Sequence, residues 1–103
     1  MKPRRNFPKV RATIADGPTI NVTGREALTL LALAQNGSRG VSGIDFPGGP
    51  AYRLGAYVFD LRGMGVGIRT DREEHSVGTH ARYVLTTPVT IEAVDFGDGR
   101  AAA

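Results

Sequence analysis

Across residues 52–85 the spacing of apolar positions changes from the period of a helix to that of a strand. Leu54, Tyr57, Val58 and Leu61 stand at i, i+3, i+4 and i+7, the spacing of one buried stripe on an α-helix. Pro50 suits the first helical position, where a missing N–H leaves no bond unmade, and Gly63 after Arg62 suits a left-handed helix stop. Beyond it, Val66, Ile68 and Thr70 alternate with Gly67, Arg69 and Asp71, and Ala81, Tyr83 and Leu85 alternate with Arg82, Val84 and Thr86. That alternation predicts a hairpin with one buried face. Its tip, over 72–80, contains Ser76 and Gly78 and almost no apolar residue, as a solvated loop would.

Upstream, Val10, Ala12 and Ile14 alternate as far as the turn pair Asp16-Gly17, and Ile20 and Val22 alternate after it, which predicts a first hairpin. Thr23-Gly24-Arg25-Glu26 has the form of a capping box, so a helix is expected from about Gly24. It runs through Leu28, Leu30, Leu31 and Leu33 and stops at Asn36-Gly37. Leucine and alanine surround most of this helix, which places it either at the centre of the core or partly under a second chain. Residues 38–50 are irregular, with Val41 and Ile44 among polar residues and glycines; Ser42 is expected to cap one short helical turn there. Val89, Ile91 and Val94 suit one more strand, and 96–103 a frayed tail.

At 103 residues the chain has the size of one domain, read as a basic flexible arm (1–9), a folded body (10–95) and the tail. With no cysteine, disulfides and thiolate metal sites are excluded. The longest apolar run, 27–34, is far below the roughly 20 residues of a membrane span, and nothing near the N-terminus has the form of a signal peptide, so a cytoplasmic setting without membrane contact is expected. The net charge of +3 is unevenly placed: Lys2, Arg4, Arg5, Lys9 and Arg11 concentrate positive charge in the first eleven residues, while the remainder is close to neutral. A basic arm on a near-neutral body suits a polyanion such as DNA, although a merely solvated leader would have the same composition.

Three strings carry a more specific signal: Arg53-Leu54-Gly55-Ala56-Tyr57-Val58-Phe59-Asp60-Leu61-Arg62, Gly65-Val66-Gly67-Ile68-Arg69-Thr70 and Thr79-His80-Ala81-Arg82-Tyr83-Val84-Leu85. In this order they resemble a family of small winged helix-turn-helix DNA-binding proteins of phages and prophages, over about residues 23–85. The resemblance implies an α+β fold of three helices and a C-terminal β-hairpin wing, here with an extra N-terminal hairpin. The middle helix would lie within 38–50, the third helix would enter the major groove, and the wing would follow the backbone or minor groove. It also implies double-stranded DNA as partner and transcription regulation as role. Carried over by position, the third-helix candidates are Tyr52, Arg53, Ala56, Tyr57 and Asp60, and the wing candidates are Arg69, Arg72, His75, Thr79, His80 and Arg82. Arg4, Arg5, Lys9 and Arg11 of the arm complete the DNA-binding set.

Each candidate has a plainer reading beside it. Tyr52 and Phe59 lie opposite the buried stripe, where they would meet DNA, bind a host or self protein, or be covered by the arm or C-terminal segment. Arg62 suits the negative end of the helix dipole, and the wing arginines suit pairing with Asp71, Glu73 and Glu74. His75, His80 and Asp71 need not share a face, so no metal is expected. The Gly63–Gly67 glycines end a helix and open a strand, the reverse of a phosphate loop. No nucleophile, base and acid stand out together, so the reading is non-enzymatic, with no cofactor and no small-molecule substrate. A homodimer through the leucine-rich helix is compatible with either partner class.

Overall fold

The computed structural model describes residues 8–43, 53–75 and 78–95. Alternation near the N-terminus builds β1 (Lys9–Ile14) and β2 (Thr19–Thr23), antiparallel, with Val10 opposite Val22 and Ala12 opposite Ile20. The connecting turn is closed by the Gly17 amide donating to the Ile14 carbonyl (2.7 Å) and the Ile14 amide to Pro18 (3.0 Å). Its left-handed residue is Ala15 (φ +51°), one position before the expected Asp16-Gly17 pair. The C-terminal strand anticipated from Val89, Ile91 and Val94 is β6 (Val89–Asp95). It pairs with the free side of β1, so the expected hairpin is part of a three-stranded sheet in the order β2-β1-β6, with a bulge opposite Arg11 and Ala12. Lys9 is consequently part of a strand, which moves the end of any arm to before it.

Helix α1 (Gly24–Asn36) begins where the capping box places it and stops at Gly37 (φ +52°), whose amide donates to the Leu33 carbonyl. The reciprocal cap is not formed: Thr23 is extended and makes no side-chain cap bond. Its leucines are central to the core, with Ala27, Leu30, Ala32 and Leu33 buried and Leu28 and Leu31 half-buried.

After a 3-10 turn (Gly37–Arg39), β3 (Val41–Ser42) pairs with residues of a later strand, Val41 with Tyr83 and Ser42 with Arg82. Ser42 therefore lies in a strand, and the helical turn it was expected to cap falls outside the described residues. Among the described residues there are two α-helices where three were expected; the remainder of the middle-helix segment, with Pro50 and Tyr52, lies outside the described residues.

Helix α2 (Leu54–Gly63) starts later than Pro50 implied, with Arg53 as its N-cap and the Arg53 carbonyl accepting from the Ala56 (2.9 Å) and Tyr57 (3.2 Å) amides. Gly63 remains helical, and the left-handed stop is taken two residues on by Gly65 (φ +103°). Strands β4 (Ile68–His75) and β5 (Gly78–Leu85) form the second hairpin, with Ile68 opposite Leu85 and Thr70 opposite Tyr83. The ladder continues to His75 opposite Gly78, so the backbone expected to form a nine-residue tip is mostly paired strand. Nor is the hairpin buried on one face alone: Val84, opposite Arg69, is 5% exposed because β3 brings Gly40 against it. One apolar core unites the inner face of the first sheet, α1, α2 and the base of the hairpin.

Candidate nucleic-acid interface

Helix α2 is oriented by its stripe. Leu54, Val58 and Leu61 are 3%, 1% and 0% exposed. At about 100° per residue, Ala56, Phe59 and Gly63 then fall on the opposite side. Phe59 is 73% exposed, Gly63 is exposed, and Ala56 is half-buried. Two further positions fix the flanks. Asp60 faces α1, where it bonds the Glu26 carboxyl, and a Cβ at Gly55 would lie 3.3 Å from the Tyr83 hydroxyl of β5. The outward side of α2 is thus apolar, with its one large side chain in solvent and the second hairpin alongside.

The arginines divide by whether the protein itself holds the guanidinium. Arg53 precedes α2 and Arg72 lies on β4 opposite Ala81; both are exposed. Arg62 is folded back on the hairpin: Nε (3.1 Å) and Nη2 (2.7 Å) donate to the Ile68 carbonyl, and Nη2 also donates to Thr70 Oγ1 (2.8 Å). It ties the end of α2 to β4, a more specific role than the dipole interaction expected. Arg69 forms a fork on Asp71 of its own strand, Nε to Oδ1 at 2.8 Å and Nη2 to Oδ2 at 3.0 Å. This bond holds the Asp71 carboxyl below the ordinary carboxylate range, with the nearby positive charge adding to it. Arg82 donates from Nη1 to the carbonyls of Arg39 (3.2 Å) and Gly40 (3.4 Å), fastening β5 to the end of the 3-10 turn that follows α1. Of the wing arginines predicted to meet phosphate, Arg69 and Arg82 are held by the protein itself.

The other candidates are distributed as follows. Tyr57 is half-buried and Asp60 exposed on α2. The backbones of His75, Thr79 and His80 lie in the hairpin ladder, at Gly78, Glu74 and Glu73 respectively. Lys9 and Arg11 project from the outer face of the first sheet, close to Asn21 and Thr23 of β2 and Asp95 of β6. Arg4, Arg5 and Tyr52 lie outside the described residues.

Sequence reasoning missed one pair. Glu26 of α1 and Asp60 of α2 meet across the helix interface, and a bond to Asp60 raises the Glu26 pKa above its ordinary value. Partial burial and the Asp60 charge add to the rise, and the Glu26 backbone amide opposes it. No local pattern relates positions 26 and 60; the helices must pack before the pair exists.

No curated protein matches this chain. No solved structure does so either. A family model described as a winged helix domain matches residues 19–95, which spans β2 to β6 and so includes both helices and the second hairpin. Two α-helices packed under an antiparallel hairpin, in an order that agrees with that match over most of the chain, make this protein a member of the winged helix domain family.

Proposed function

We propose that this protein binds double-stranded DNA and acts as a transcriptional regulator of the phage or prophage type, without catalysis. One observation carries the reading: α2 buries Leu54, Val58 and Leu61 and leaves its opposite side in solvent beside the β4–β5 hairpin, the arrangement by which a helix enters a major groove while a ribbon lies along the backbone. Arg53 and Arg72, which are exposed, are the leading phosphate contacts on this side. Lys9, Arg11, Arg4 and Arg5 supply further charge from the N-terminal region. Thr79 and His80 belong to the same hairpin and remain in the proposed set.

Four to six neutralised phosphates would give a log-log salt slope of roughly −3.6 to −5.4, at about −0.9 per phosphate. Fluorescence anisotropy with a labelled duplex at 50 and 200 mM salt measures it. Absence of duplex binding at the lower salt would reject the reading.

A second reading draws on the exposure of Phe59. In it, the scaffold binds a host or self protein through Phe59 and Tyr52. Capture from a nuclease-treated bacterial lysate that is lost in Phe59→Ala, by a protein that does not bind duplex, would favour it.

A further inference from the structure

We infer that α2 selects thymine, with the exposed Phe59 ring packing against the 5-methyl group in the major groove. This inference rests on the reading of the chain as a duplex-binding protein and specifies what its helix reads.

The argument begins with what the outward side of α2 lacks. Guanine is read by a bidentate cation on O6 and N7, and adenine by a side-chain amide on N6 and N7. Within α2 the sole cation is Arg62, whose guanidinium is directed at the Ile68 carbonyl and the Thr70 hydroxyl; there is no asparagine or glutamine. Arg53 stands before the first turn, where it can position the helix on phosphate.

What the side does present is apolar. Phe59 projects from it at 73% exposure, and Gly63, one turn on, has nothing within 4 Å of where a Cβ would be. Ala56, one turn back, adds only a methyl group. Small neighbours on both sides allow the helix to approach an edge closely while one ring leads. The thymine methyl is the apolar feature of the major-groove edge and is contacted by alanine and phenylalanine side chains.

The test uses the full chain. A preferred site is enriched from a random duplex pool, then synthesised with thymine or with uracil, which pairs identically and lacks the methyl. Removing one contacted methyl should weaken binding about fourfold, the equivalent of one buried CH₂. Phe59→Ala should bind both duplexes equally, at about the affinity of the wild type for the uracil form. Arg53→Ala should weaken both while keeping their ratio. Thermal unfolding checks that Phe59→Ala, a change at an exposed position, remains folded. Binding with equal affinity for thymine and uracil forms overturns the inference and leaves the DNA-binding reading intact, as does binding without enrichment of any site. A preference that survives in Phe59→Ala overturns it too. Failure to bind any duplex removes the DNA-binding reading and the inference together.

Discussion

Replacing Arg62 with methionine separates an arginine that builds the interface from one that touches DNA. The side chain makes three hydrogen bonds, two converging on the buried strand residue Ile68 and one on Thr70. Methionine keeps much of the aliphatic stem and removes all three donors. A hydrogen bond to a charged group contributes about 1.5–3 kcal/mol, and the exposed setting of Arg62 places the loss near the lower end, at about 1.5–2 kcal/mol. For a domain of this size that lowers Tm by roughly 10 °C. Arg62→Lys restores the charge but not the fork, so it should recover only part of the loss. Urea unfolding followed by circular dichroism gives the free energy, and the same samples are titrated with duplex at several salt concentrations. A structural arginine lowers stability and leaves the salt slope of binding unchanged, whereas a phosphate contact reduces the slope by about 0.9. Arg62→Met with wild-type stability and a shallower slope would refute the assignment.

Replacing Leu61, fully buried in the core, with alanine should cost about 2–5 kcal/mol, read as a lower urea midpoint. Gly40→Ala should destabilise severely, because φ is +70° and its Cβ would lie 2.5 Å from the Tyr83 carbonyl; failure to change the thermal midpoint would contradict that packing. Glu26 binds its proton more tightly in the folded state than in the unfolded one, so its contribution is full below the ordinary carboxylate range and is lost as pH rises through the raised value. Glu26→Gln should therefore flatten the fall in stability above that range and be more stable than wild type at pH 7, measured by urea midpoints from pH 4 to 8. Arg53→Ala and Arg72→Ala should each reduce the salt slope of duplex binding by about 0.9 while leaving Tm nearly unchanged.

Periodicity made the frame of this domain legible. Leu54, Val58 and Leu61 of the helical stripe and the Val10, Ala12 and Ile14 alternation point inward as read, with Tyr57 of that stripe only half-buried, because burial of a periodic face depends on little beyond the local chain. The helix start at Gly24 was also readable, yet Thr23 makes no capping bond and Glu26 meets a partner on another helix, which no local pattern shows. Strand order was hidden for a similar reason: nothing in β6 itself shows that it returns to β1, and the two-residue β3 is too short to show a period. Among the candidate residues, sequence could list the arginines but not sort them. Arg62, Arg69 and Arg82 differ from Arg53 and Arg72 only in what folding brings within reach: carbonyls for two, a carboxylate for the third. The apolar outward side of α2 was visible as Phe59 opposite the stripe, and its exposure in the folded chain gives that position its meaning.

The most direct test of the central claim is an amide-resolved NMR titration of the labelled protein with duplex DNA at low salt. The largest shifts should fall on residues 53–63 and along the β4–β5 hairpin. Shifts confined to the outer face of the β2-β1-β6 sheet, or no shifts at all, would contradict the placement of DNA against α2.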